Sequence, residues 1–150
     1  MLATSFDADI RHLAFALGLL WAASAAAYGP YEVDVIRVLD GDTVEVDVDL
    51  WPGLRQRVKV RLNGINAPEI HTRRRCEKEA GIRAKDRLAE LLVQAGQVEL
   101  VDVALGKYSG RVLGRLVADG EDVAERLLAE GLVRPYSGGR REPWPCTETR

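Results

Sequence analysis

The chain has 150 residues, a formal net charge of −2 and 47% hydrophobic residues. That length allows one domain with a real core, and the charge excludes a protein that holds nucleic acid by bulk basic excess alone. Its two histidines, His12 and His71, are too few for a histidine-rich metal cluster or a histidine-based dyad within the chain.

At the start, Arg11 and His12 precede the apolar run LAFALGLLWAASAAA, the 15 residues 13–27. The run is short for a membrane span and suits the apolar region of an export signal, with Ala25-Ala26-Ala27 as its cleavage site. Residues 1–27 are therefore expected to be a signal peptide, and 28–150 an exported domain, periplasmic or secreted. After cleavage no stable membrane association is expected. A buried core helix or an anchor is the competing reading, and Asp7 and Asp9 are unusually acidic for a signal. The two cysteines, Cys76 and Cys146, fit export: paired, they would close a loop of about 70 residues. On the chain-entropy account such a bridge contributes about 4 kcal/mol. Two unrelated buried thiols are the alternative.

From Tyr31 the pattern is that of strands. Residues 33–39, VDVIRVL, read as the first, and Asp40-Gly41-Asp42 as turn chemistry. Residues 43–50 alternate, with Val44, Val46, Val48 and Leu50 on one face and Glu45, Asp47 and Asp49 on the other. After the break Trp51-Pro52-Gly53, residues 57–62 alternate again, with Val58, Val60 and Leu62 inward and Arg57, Lys59 and Arg61 outward. Ala80, Ala84, Leu88, Leu91 and Leu92 then recur at helical spacing, and Gly96 is expected to end that helix. Strands follow at 97–103 and 111–118, parted by the loop ALGKYSG, and a second helix at 121–131. The tail LVRPYSGGRREPWPC has no period and is expected to lie as a strap. Three strands, a helix, two strands and a helix suit an α+β fold, a five-stranded OB-type Greek-key barrel with two to three helices.

The opposite charges on 43–50 and 57–62 are accounted for by cross-strand pairing for Arg57 and Lys59. Arg61 differs, being the last outward residue before the turn, where strand ends deliver side chains to a rim. Glu69 follows after Pro68 has fixed the local backbone. A hard cation such as Ca²⁺ needs oxygen ligands from more than one loop, and the candidates are Asp42, Asn66 and the backbone carbonyl near Ala67. Arg111 opens a strand after a glycine and can reach the same rim. Two arginines, a glutamate and an acid-lined cation site form a set able to cut a phosphodiester. The arginines grip phosphate oxygens with fork geometry, the cation polarises the phosphoryl group, and the glutamate orients or deprotonates water.

VLDGDTVEV, RLNGINAPE, GRVLGRLVADGEDVAERLLAEGLV and the later PY are similar, in order and spacing, to the thermonuclease family, the staphylococcal-nuclease-like proteins. The resemblance covers about residues 33 to 136, and the terminal WPC with Cys76 resembles an exported subgroup. It implies an OB-fold, Ca²⁺-dependent endonuclease acting on DNA and RNA and leaving 3′-phosphate ends. Arg61, Glu69 and Arg111 match the family's catalytic residues; Asp42, Asn66 and Ala67 match its calcium ligands, although aspartate is usual where Asn66 stands. Lys107, Tyr108 and Tyr136 match substrate-binding positions, Tyr136 as an aromatic near the base; Ser109 is an extra residue that disturbs the Lys107-Tyr108 register. Asparagine at 66 removes a formal charge and is expected to weaken calcium binding.

A competing reading is an OB-fold module that binds nucleic acid and cuts weakly or not at all, although the chain keeps Arg61, Glu69 and Arg111. A nuclease of the acidic-x-lysine type is disfavoured, because none of Lys59, Lys78, Lys85 and Lys107 has an acid two residues before it. Nothing in the sequence calls for an oligomer, and a monomer is expected.

Overall fold

Strands that alternate apolar and polar residues need a partner layer for one face, and here five of them supply it to one another. The structure is a computed structural model and describes residues 28–107 and 109–145. The apolar run 13–27, Tyr108 and Cys146 lie outside the described residues.

Strand β1 spans Tyr31–Asp40, β2 Thr43–Trp51, β3 Leu54–Leu62, β5 Val98–Leu105 and β6 Arg111–Ala118. Two-residue strands lie between and after them: β4 at Ile65–Asn66, β7 at Glu121–Asp122 and β8 at Arg134–Pro135. Helix α1 covers Arg75–Gln94 and α2 Val123–Ala129. The five long strands run in the order β3-β2-β1-β5-β6, and β6 closes onto β3 in parallel, with Lys59 opposite Arg111 and Leu62 opposite Gly114. This is the expected α+β OB barrel, with two helices among the described residues, and closure pairs β3 with β6 over Lys59–Leu62 and Arg111–Gly114.

The alternation read from the sequence faces the core. Val44, Val46 and Val60 are fully buried, joined by Leu62, Leu100 and Leu116, with Leu88 of α1 and Leu127 of α2. Burying each leucine contributes about 1.5–3 kcal/mol. Leu50 departs from the pattern at 43% exposed, because it lies past the closed part of the barrel. There it lines an apolar groove of about 410 Å³ with Tyr28, Val58 and Leu105.

Three local expectations are corrected. Gly96 does not close α1 in a left-handed turn: Ala95 ends the helix in extended conformation. The Gly96 and Gln97 N–H groups instead donate to the Asp119 carboxylate at 3.0 and 2.9 Å. Helix α2 begins two residues later than its pattern suggests, because Glu121 and Asp122 first pair with β6. Asp122 then caps the helix, accepting from the Ala124 N–H at 2.7 Å. The charge ladder is redistributed as well. Arg57 meets Asp47 as expected, at 2.8 Å, but Glu45 is taken by Arg37 of β1 at 2.7 Å rather than by Lys59. The Arg37 hydrogen bond holds the Glu45 carboxyl below the usual carboxylate range.

Candidate active site

The turn Asp40-Gly41-Asp42 joins β1 to β2 at one end of the barrel. Its aspartates set local geometry: the Asp42 N–H donates to Asp40 Oδ1 at 3.0 Å. Gly41 has a different reason to be glycine. A Cβ there would lie 2.7 Å from both the Ala67 and Ala84 methyl groups, so the turn is pressed between α1 and the segment after β4. Gly81 on α1 plays the same part beneath Pro68, whose carbonyl oxygen would lie 2.7 Å from an added Cβ. These two close approaches seat the Asp42 turn and the Pro68-Glu69 segment on one helix. Gly41→Ala is expected to cost about 1–3 kcal/mol through overpacking, read as a lower urea midpoint with an unchanged slope.

Asp42 is 6% exposed and each of its carboxylate oxygens has a partner within the protein. Oδ2 accepts from the Ala67 N–H at 2.7 Å, and Oδ1 accepts from the Thr43 hydroxyl at 3.1 Å. Oδ1 is also ion-paired with Nη1 of Arg61. Arg61 is only 7% exposed, which corrects the expectation that it faces outward. Its Cα lies between Thr43 of β2 and Leu113 of β6, and barrel closure with the 63–68 segment covers the strand end. Its Nη1 also donates to the Asp42 carbonyl at 3.4 Å, and Nη2 to the Ile65 carbonyl at 3.2 Å and Asn66 Oδ1 at 3.4 Å. Burial is the main cause that pulls the Arg61 guanidinium down, to about 10. The cations Arg141 and Arg111 add to it and Asp40 opposes it, leaving Arg61 charged at neutral pH.

A cleft of about 160 Å³ opens over these groups, lined by Asp40, Asp42, Thr43, Arg61, Ala67, Pro68, Glu69, Arg111 and Arg141. Glu69 is exposed, and its Oε1 accepts from the His71 N–H at 3.0 Å, which orients the carboxylate. Arg111 enters from the start of β6, carried there by its parallel pairing with Lys59. The structure thus brings Arg61, Glu69, Arg111, Asp42 and Ala67 to one cleft. It does not bring Asn66 there: that side chain rests on Arg61 and is not part of the lining. Lys107 is exposed on the β5–β6 loop, also apart from the lining, and Tyr108 lies outside the described residues.

Tyr136 is delivered by β8, which pairs with β4 and continues with the Tyr136 N–H on the Gly64 carbonyl at 2.8 Å. Its hydroxyl donates to the Gly139 carbonyl at 2.8 Å. Four lining residues were not candidates in the sequence: Asp40, Thr43, Pro68 and Arg141. Asp40 was signalled by its place in the same turn as Asp42; Arg141 stands in a basic pair with Arg140, which does not by itself point to the cleft.

The lining suits a hard cation. Asp40 and Asp42 supply two carboxylates and Thr43 a hydroxyl, all oxygen donors of the kind calcium takes. Among the described residues no cluster of three or more metal-binding side chains forms, so carbonyls and water would complete the coordination.

The family of staphylococcal nuclease homologues matches residues 59–144. The chain is 35% identical over 111 residues to a micrococcal nuclease of Shigella flexneri, covering 74% of this chain and 55% of that protein. It is 35% identical over 106 residues to the endonuclease YncB of Bacillus subtilis, covering 68% of this chain and 46% of that protein. An uncharacterized endonuclease of Escherichia coli is 32% identical over 110 residues, covering 73% of this chain and 63% of that protein. The chain therefore spans about half to under two thirds of the length of these curated relatives.

Proposed function

The chain belongs to the staphylococcal nuclease homologues, and from that premise we propose that it is a calcium-dependent endonuclease that hydrolyses DNA or RNA to products with 3′-phosphate ends. The observation that carries this reading is the cleft itself, where Arg61, Glu69, Arg111 and Asp42 meet from four separate stretches of chain. Relatives named as nucleases support it.

In this mechanism Arg111 binds the non-bridging oxygens of the scissile phosphate and offsets the charge that builds on phosphorus. Glu69 accepts the proton of a water as its oxygen adds to phosphorus; the bond to the 5′-oxygen breaks and that oxygen takes a proton from solvent, leaving a 5′-hydroxyl and phosphate on the 3′ side. Arg61 holds the Asp42 carboxylate and the Ile65 carbonyl in register. Bound by Asp42 with Asp40 and the carbonyl of Ala67, calcium would polarise the phosphoryl group. Tyr136 offers an aromatic face to a base, and Lys107 and Tyr108 are further substrate contacts by resemblance.

Residues 1–27 are assigned as an export signal and Cys76–Cys146 as a bridge formed after export, and the working enzyme is taken to be a monomer that acts in the periplasm or outside the cell. The second reading, a module that binds without cutting, is favoured by one observation: the terminal nitrogens of Arg61 already have acceptors within the protein.

The test is cutting of DNA and RNA with calcium against a chelator. Calcium-dependent release of 3′-phosphate ends is expected, and cutting that survives chelation would remove the calcium mechanism. Binding with no cutting would leave the second reading. A titration of the same activity examines Asn66. Asn66→Asp places a carboxylate beside Arg61, and the half-saturating calcium is expected to fall several-fold, on the order expected for one added charge near the site. Equal half-saturation in the two proteins would show that position 66 does not act on the cation.

A further inference from the structure

We propose that Arg141 is a phosphate-binding residue of the cleft, carried there by a C-terminal strap that Trp144 latches; the inference rests on the nucleic-acid substrate class proposed above. Arg141 lines the cleft with Glu69 and Arg111, and it is the nearby charge that most depresses the Arg61 guanidinium. Among the described residues no carboxylate pairs with it. Arg61 is in the opposite state. An arginine has five N–H donors, and the four on its two terminal nitrogens are directed at Asp42, Ile65 and Asn66. Gripping a phosphate with that edge would mean giving up bonds inside the protein. Arg141, on the cleft lining, is placed to meet the substrate's charge.

The strap explains how a tail residue is held at a reaction centre. After β8, Gly138 and Gly139 adopt φ of +100° and +89°, a conformation that side-chain-bearing residues rarely take, and the chain reverses there. The Tyr136 hydroxyl closes the reversal on the Gly139 carbonyl. Beyond Arg141 the chain is fastened twice. The Arg134 guanidinium lies 4.5 Å from the centroid of the Trp144 ring and donates to the Pro143 carbonyl at 3.2 Å. Arg74, just before α1, donates to the Trp144 carbonyl at 3.0 Å. Arg141 therefore sits on a short span pinned at both ends, so little order has to be gained when a phosphate arrives.

The test is binding of a short phosphorothioate oligodeoxynucleotide, followed by anisotropy over a range of salt, so that binding is read without turnover. Arg141→Ala is expected to weaken it about 10- to 100-fold, as for loss of one charge-assisted contact, and to lower the salt slope by about one. Arg141→Lys should recover part of the loss, and Arg140→Ala, outside the lining, should stay within about 2-fold of the parent. Binding by Arg141→Ala equal to the parent overturns the proposal. For the latch, Trp144→Ala should weaken binding by itself, and adding Arg141→Ala to it should cost much less than in the parent. Fully additive losses would show that Trp144 does not position Arg141. Cutting of the ordinary phosphodiester in calcium is followed in parallel: a parent that binds and never cuts defeats the nuclease reading while leaving this comparison intact.

Discussion

Glu69→Gln is expected to lower the cutting rate about 10²- to 10⁴-fold while the protein stays folded and still binds nucleic acid. Glutamine keeps the size of glutamate and an oxygen that can accept the His71 N–H, so the Pro68-Glu69-Ile70 segment has no reason to move. Glu69 is exposed and contributes nothing to the core, so stability should change little. What is lost is the ability to take a proton from water. The fall should appear in kcat, with KM nearly unchanged, because substrate charge is met by arginines. Single-turnover cutting by Glu69→Gln at the parent rate would remove Glu69 from the mechanism.

Arg61→Ala is expected to abolish cutting and also to destabilise the protein by about 3–5 kcal/mol, the usual consequence of leaving a buried charge without its partner. The stranded group is the Asp42 carboxylate, which would keep the Ala67 N–H and Thr43 hydroxyl and lose its counter-charge. For a domain of this size that corresponds to a melting temperature lower by roughly 10–20 °C. The depressed titration of Arg61 adds a sign. A group whose folded value lies below its ordinary value is disfavoured by the fold while charged, and that cost fades only as pH rises through about 10. At neutral pH the burial of the charged Arg61 is therefore a cost to stability. Arg61→Met with Asp42→Leu together should recover most of the stability lost by Arg61→Ala, and none of the activity. A double variant less stable than Arg61→Ala would show that the pair holds the barrel end together in its own right.

The strands of the barrel were legible because their information is local. Val44, Val46, Val48, Val58, Val60 and Leu62 show a period of two whatever the rest of the chain does, and that period defines a buried face. Helix α1 was legible for the same reason, at the helical period. Ends were less legible, because competing local bonds decide them: Asp119 takes the N–H groups after α1, and Asp122 shortens α2. Gly41 was read as turn chemistry, yet it is glycine because Ala67 and Ala84 of α1 press on it, both far downstream along the chain.

The site divides in the same way. That Arg61, Glu69, Arg111 and Asp42 could serve one reaction is visible in their residue types and in their places at strand ends and turns, so the chemistry and the barrel were determined by the sequence itself. Which atoms are available to a substrate was decided by closure. The β3–β6 pairing buries Arg61, the tight fit of α1 sets Glu69 beside the Asp42 turn, and Asn66 is turned onto Arg61. The β4–β8 ribbon and the Trp144 contacts bring Arg141 to the cleft from residues that neighbour nothing catalytic along the chain. Periodicity and charge pattern act over a few residues; burial and the meeting of distant loops exist only once the whole barrel has formed.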